Sequence, residues 1–138
     1  MTTNPKLPDT TTNPKPQDTA APQDTAALAR RYYSTVDAGD PEATADLFAA
    51  AGTYDRPGYD TLVGPAIREF YLGARVIESG VHTLDEVLVE GDRAAVRGRF
   101  DGVLKTGDEA HVGFADFFAF DDVGQITTRT SYFFRPAV

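Results

Sequence analysis

Apolar side chains recur at two different periods along this chain, and the change of period divides it. Leu28, Tyr32 and Val36 lie at helical spacing between a cap at Asp24 or Thr25 and a stop at Gly39, which predicts a first helix. Asp40 caps a second, short helix with Pro41 at its first position and Glu42 in its first turn, burying Ala43, Leu47 and Phe48. A strand or turn region from Thr53 to Val63 is punctuated by Arg56-Pro57-Gly58. Pro65 then opens a third helix, whose Ile67, Phe70, Tyr71, Ala74 and Ile77 share one face until Ser79-Gly80 stops it. Beyond Val81 the pattern becomes alternation rich in β-branched and aromatic residues, with turn signals at 90–92, 105–108 and 121–124. Four antiparallel strands are predicted near 82–90, 93–104, 109–120 and 125–134. Helices first and a long-stranded meander afterwards give an α+β fold: a cone-shaped, curved antiparallel sheet wrapped around N-terminal helices, with a cavity inside.

The first 26 residues break this pattern. TTNPK occurs at 2–6 and again at 11–15, and PQDTAA at 16–21 and again at 22–27. Five prolines among Thr, Asp and Lys leave nothing to bury, so residues 1–26 are expected to be a disordered low-complexity tail and 27–138 a single domain. Thirteen basic against 21 acidic residues give a formal charge of −8, and Lys105 is the one lysine beyond the tail. Such a surface repels phosphate backbones and anionic lipid, which argues against nucleic-acid and membrane partners. The absence of cysteine excludes disulfides, thiolate nucleophiles and thiolate metal sites. No apolar run reaches the roughly 18 to 20 residues that span a bilayer, and the first residues lack the pattern of a signal peptide; a cytoplasmic protein is expected.

Candidate chemistry lies on the predicted strands. Val112, Phe114, Asp116, Phe118 and Phe120 alternate onto one face, so an acid stands in an apolar row. Either a donor satisfies it there or it stays protonated. Arg97, Arg99 and Asp101 share one face of the strand at 93–104, which is either a second reactive cluster or the solvated side of a sheet. His111 faces opposite to Asp116 and is expected outside the cavity, while His82 opens a strand near the cone mouth, where it could serve as an acid or base near neutral pH. A surface position is the favoured expectation for both, and two histidines without a spaced carboxylate cluster form no metal site.

Three segments resemble the nuclear-transport-factor-2-like superfamily, and within it the SnoaL-like cyclases, the ketosteroid isomerases and the limonene epoxide hydrolase type. They are the stretch from Ala29 to the Asp37-Ala-Gly-Asp40 exit, Tyr54-Asp-Arg-Pro57 with the following Gly64 and Ile67 to Tyr71 helix, and Asp116 to Ile126 with Ser131-Tyr-Phe133. The resemblance covers roughly residues 28–135 and implies the same cone-shaped fold, a homodimer, and an enzyme working without a cofactor. Similarity to the isomerases places Asp116 on a neutral acid and Tyr32 on a phenol that together polarise a substrate oxygen, an arrangement long used to illustrate carboxyl pKa tuning. Where those enzymes carry a general-base aspartate this chain has Arg56, with Asp55 one position earlier. Arg99 and Asp101 look like the Arg-x-Asp of the epoxide hydrolases, with Tyr54 near their water-binding tyrosine. Ser131, however, stands in place of a second aspartate. The resemblance thus implies an isomerase or cyclase acting on a small hydrophobic polyketide-, terpenoid- or steroid-like compound, in a pocket lined by Tyr54, Phe70, Phe118 and Phe133. An epoxide hydrolase and a non-catalytic binding or dimerisation module are the alternatives.

Overall fold

The computed structural model describes residues 23–134, so most of the expected tail lies outside the described residues. Helix α1 spans Thr25–Asp37 and begins two residues inside that tail, because the Asp24 carboxylate caps the Ala27 N–H at 3.0 Å. The Thr25 hydroxyl also donates to the Gly91 carbonyl at 2.6 Å, which fastens the helix start to the domain. Asp40 caps α2 (Pro41–Asp46) in the same way. Phe48, expected on that helix, instead opens strand β1 (Phe48–Asp55), which pairs with the short β2 (Leu62–Val63).

The third helix is the main departure from the sequence pattern. Regular α geometry in α3 ends after Pro65–Glu69, and Phe70–Ala74 forms a π turn closed by the Arg75 N–H on the Phe70 carbonyl at 2.8 Å. The wider turn buries the consecutive Phe70 and Tyr71 and leaves Ala74 exposed. Ile77 belongs to β3 (Ile77–Glu90) rather than to a helix. β4 (Arg93–Leu104) and β5 (Glu109–Phe120) occupy the expected ranges, and β6 runs over Ile126–Phe134.

The six strands form one curved sheet in the order β2-β1-β6-β5-β4-β3. Pairing is antiparallel except between β1 and β6, which run parallel. Register shifts at the start of the β3–β4 ladder, between Ile77 and Ser79, and in its middle, between Leu84 and Glu86, bend the long hairpin, and the helices pack in its concavity. Ala29, Tyr32, Tyr33 and Val36 of α1 meet Ala94, Val96, Phe114 and Phe118 of the sheet in one buried cluster. Gly98 is needed where it stands, since a Cβ there would overlap the Thr83 carbonyl of the paired strand. No helix among the described residues is long and apolar enough to cross a membrane.

Candidate active site

Strand phase decides which side chains reach the interior. On β4 the buried row is Ala94, Val96, Gly98 and Phe100, so Arg97, Arg99 and Asp101 point outward. There they meet other exposed charges: Arg97 donates to Glu86 at 3.3 Å, Arg99 to Asp85 at 3.0 Å, and Asp101 pairs with His111 at 2.8 Å. The hydrolase-like cluster is therefore the solvated face of the sheet, and Arg99 and Asp101 furnish no epoxide site. Asp55 is likewise exposed. Its ladder with β6 is regular from Thr53 through Asp55, so Tyr54 faces in and Asp55 faces out, accepting from the Thr61 hydroxyl at 3.2 Å.

Asp116 is fully buried, as its apolar row requires. The donors that satisfy it come from β6 and α1. Pairing sets Ser131 opposite Asp116 and Arg129 opposite Phe118, and alternation turns both side chains inward. Arg129 Nη2 donates to Asp116 Oδ2 at 2.9 Å, Ser131 Oγ donates to Oδ1 at 2.5 Å, and the Tyr33 hydroxyl donates to Oδ2. Three donors, one of them a guanidinium, fit an ionised carboxylate. The expected neutral acid that hands a hydrogen bond to substrate is not what this geometry forms. The phenol bonded to Asp116 is that of Tyr33, whereas Tyr32, expected to share a substrate oxygen with Asp116, is bonded to Tyr71. Burial first, and the Asp116 charge second, push the Tyr33 phenol far above its ordinary range, so it remains a donor. Burial opposes the charge on Arg129, but Asp116 and the facing tyrosines more than offset this and keep it cationic. Its guanidinium lies 4.4 Å from both the Tyr32 and the Tyr54 ring centroids, a cation–π sandwich. Replacing Tyr33 by Phe or Ser131 by Ala removes one hydrogen bond to a charged group. Each change is expected to lower unfolding free energy by about 1.5–3 kcal/mol in a urea titration.

Above this ion pair lies a cavity of about 440 Å³, within the range that holds small organic ligands. Tyr32, Tyr54, Phe70, Tyr71, Phe100, Phe114 and Phe133 give it an aromatic wall. Phe118 does not line it; it packs in the core against Tyr32 and Tyr33 at 5.6 and 6.0 Å. Nor does Asp116; the Arg129 that binds its carboxylate lines the cavity instead. The Tyr32 and Tyr71 hydroxyls are 2.6 Å apart. One donates to the other, which leaves a second O–H proton for a ligand. Burial raises Tyr32 to about 12, with Arg129 pulling the other way, so the pair acts as neutral donors.

The cavity also contains a group that the sequence places at the surface. His82 lines it with a side chain only 10% exposed, and Nδ1 lies 2.6 Å from Asp37 Oδ1 at the end of α1. The other Asp37 oxygen accepts the His82 backbone N–H at 2.8 Å. An ionised Asp37 fixes the proton on Nδ1 and leaves the Nε2 lone pair as a base. Phe100, Tyr33 and Phe114 enclose the ring at 4.7, 5.1 and 5.4 Å. Burial lowers the His82 pKa below its ordinary 6.5, against the opposing pull of Asp37, so the ring is neutral at physiological pH. His111 is at the surface as expected, and the hydrogen bonds that its ring donates to Asp101 and then to Glu109 raise its pKa. No cluster of metal-ligating side chains occurs among the described residues.

A family model for the SnoaL-like domain matches residues 29–129, which takes in both the Asp37 exit of α1 and the Arg129 strand. The chain belongs to the SnoaL-like domain family. No curated protein sequence matches it significantly. Among solved structures this SnoaL-like chain is similar to SalBIII, described as an epoxide hydrolase/cyclase-like enzyme with a role in pyran ring formation in the polyether salinomycin. The TM-score is 0.71 at 18% identity, over 80% of this chain and 90% of that one. A hypothetical protein with a ketosteroid isomerase-like protein fold from Catenulispora acidiphila DSM 44928, in complex with trimethylamine, gives a TM-score of 0.67 at 22% identity, covering 76% of this chain and 83% of that one. A protein of unknown function from Burkholderia pseudomallei K96243, called ntf2-like, gives 0.68 at 18%, covering 80% and 90%. These likenesses establish the nuclear-transport-factor-2-like fold of the SnoaL-like domain.

Proposed function

We propose that this SnoaL-like protein is an acid–base enzyme, an isomerase or cyclase, acting without a cofactor on a small hydrophobic compound of polyketide, terpenoid or steroid type. The observation that carries the reading is the Asp37–His82 pair facing an aromatic cavity that also presents the Tyr32–Tyr71 hydroxyls. His82 Nε2 is the base and the tyrosine pair is the donor. In an isomerisation, Nε2 takes a proton from carbon next to a carbonyl while a tyrosine O–H stabilises the enolate oxygen, and the imidazolium returns the proton to a different carbon. In a cyclisation, Nε2 takes the proton of a substrate hydroxyl, its oxygen bonds to an epoxide carbon, the epoxide C–O bond breaks, and the alkoxide takes a proton from the tyrosine pair. The cyclase-like description of SalBIII supports the second course.

The reaction class can be tested before the substrate is known. Cyclic β,γ-unsaturated ketones and hydroxy-epoxides are incubated with the protein in D2O and followed by NMR. Deuterium incorporation or ring closure is expected with the parent protein and with Arg99→Ala and Asp101→Ala, and is expected to vanish in His82→Asn. Turnover that survives His82→Asn but dies in Asp101→Ala would restore the hydrolase reading. Tyr32→Phe is expected to cost on the order of 10²–10³ in turnover, the scale of one oxyanion donor.

The homodimer is part of the same proposal. Leu88, Phe117, Tyr132 and Phe134 are exposed on the strands, and the Phe117 and Tyr132 rings pack edge to face at 5.8 Å on the outer face. Sedimentation is expected to give twice 14.9 kDa for the parent and a single copy for Phe117→Lys.

A further inference from the structure

The charges around the cavity are unlike those of the rest of the chain. A protein with a formal charge of −8 lines this one space with Arg56, Arg75 and Arg129. Arg129 is neutralised by Asp116. Arg56, just past the end of β1, lies over the Tyr59 and Phe70 rings at 4.4 and 4.9 Å, and its Nε is buried without an acceptor among the described residues. Arg75 stands where the π turn passes into extended backbone, and its side chain forms no ion pair among the described residues. The acid on the cavity lining is Glu109, which is 79% exposed and engaged with His111 at 3.1 Å. Asp37 is not on the lining, and its carboxylate is engaged by His82, which is. His111, also on the lining, is engaged by Asp101 and Glu109, and a neutral His82 adds no positive charge, so the lining cations without an acid partner among the described residues are the guanidiniums of Arg56 and Arg75.

We infer that the ligand of this cavity is an anion, a small apolar carboxylic acid whose carboxylate is held by Arg56 and Arg75 while its carbon skeleton lies against Tyr54, Phe70, Phe100 and Phe133. The inference rests on the cavity being the substrate site proposed above and adds the charge of the substrate. Guanidinium suits the role because its planar fork matches a carboxylate and it stacks on aromatic rings without losing its donors. Arg56 is already stacked in this way. The same arginines disfavour a cationic guest.

Binding of unreactive acids tests this separately from catalysis. 2-Naphthoate, 4-phenylbutyrate and cyclohexaneacetate are titrated calorimetrically into the full-length protein, each beside its neutral carboxamide. At least one acid is expected to bind about tenfold or more tightly than its amide, with affinity falling as salt rises. In Arg56→Gln/Arg75→Gln the preference is expected to shrink to about twofold or less, whereas Arg99→Gln, which removes an equal charge from the outer face, leaves it intact. Amides binding as well as acids in the parent protein, acids that fail to bind, or a preference that survives the double substitution would each overturn the inference. None of these outcomes bears on His82 as a base, which the deuterium exchange reads.

Discussion

His82→Asn is expected to lower kcat/KM on the turned-over substrate by about 10²–10⁴, the usual contribution of a positioned general base. Asparagine keeps the backbone N–H and a side-chain N–H that can reach Asp37, so the end of α1 stays docked and the melting temperature should change little. What it lacks is a lone pair with imidazole basicity. Asp37→Asn is expected to act in the same direction, because a neutral amide no longer holds the proton on Nδ1 or stabilises the imidazolium. The sign of the pH dependence follows from the buried ring. The base must be neutral, and its pKa lies below 6.5, so kcat/KM should be flat around neutrality and fall only as pH drops through that lowered value. An acid limb centred above 6.5, or full activity in His82→Asn, would show that another group takes the proton.

Asp116→Leu is expected to be the most destabilising single change, with a loss of about 3–5 kcal/mol in unfolding free energy. From the sequence, leucine suits the row of Val112, Phe114, Phe118 and Phe120. The structure reverses that expectation, because the substitution leaves the Arg129 guanidinium buried without its carboxylate and strips the Tyr33 and Ser131 hydroxyls of their acceptor. Removing both charges together, as in Asp116→Leu/Arg129→Met, should recover much of the loss, since a buried pair replaced by apolar groups is often close to neutral. Urea titrations of the parent, the two single variants and the double variant measure this coupling directly. Near-parental stability in Asp116→Leu would mean that the pair contributes nothing to the core.

The long hairpins were legible because their signals are local. β4 and β5 alternate without interruption, and Gly91, Gly107 and Gly124 adopt positive φ at the turns that they mark. The end of the third helix was not, since Ile67 to Ile77 keep helical spacing while a π turn resets the phase after Phe70. The start of β1 was missed, with Phe48 read as helix and a strand or turn region begun only at Thr53, because its Ala49-Ala-Ala-Gly stretch lacks β-branched residues and its partner β6 lies more than 70 positions away. For the site, an acid in an apolar row announced that Asp116 was buried. Its partners depended on register, which brings Ser131 and Arg129 against it, and on the packing of α1, which brings Tyr33. The outward phase of Arg99 and Asp101 was available in principle from Ala94, Val96 and Phe100 on the alternate positions. His82 and Asp37, 45 residues apart, carry no sequence signal as a pair, and an isolated histidine at a strand start reads as surface.

The proposed chemistry requires His82 to be a neutral, Asp37-oriented base in the cavity, and ¹⁵N NMR of the imidazole over a pH titration reads this without any substrate. The predicted result is a ring protonated on Nδ1 at neutral pH, with Nε2 carrying the lone pair, and an apparent pKa below 6.5 that changes in Asp37→Asn. A ring protonated on Nε2, or one that becomes cationic above pH 6.5, would contradict it.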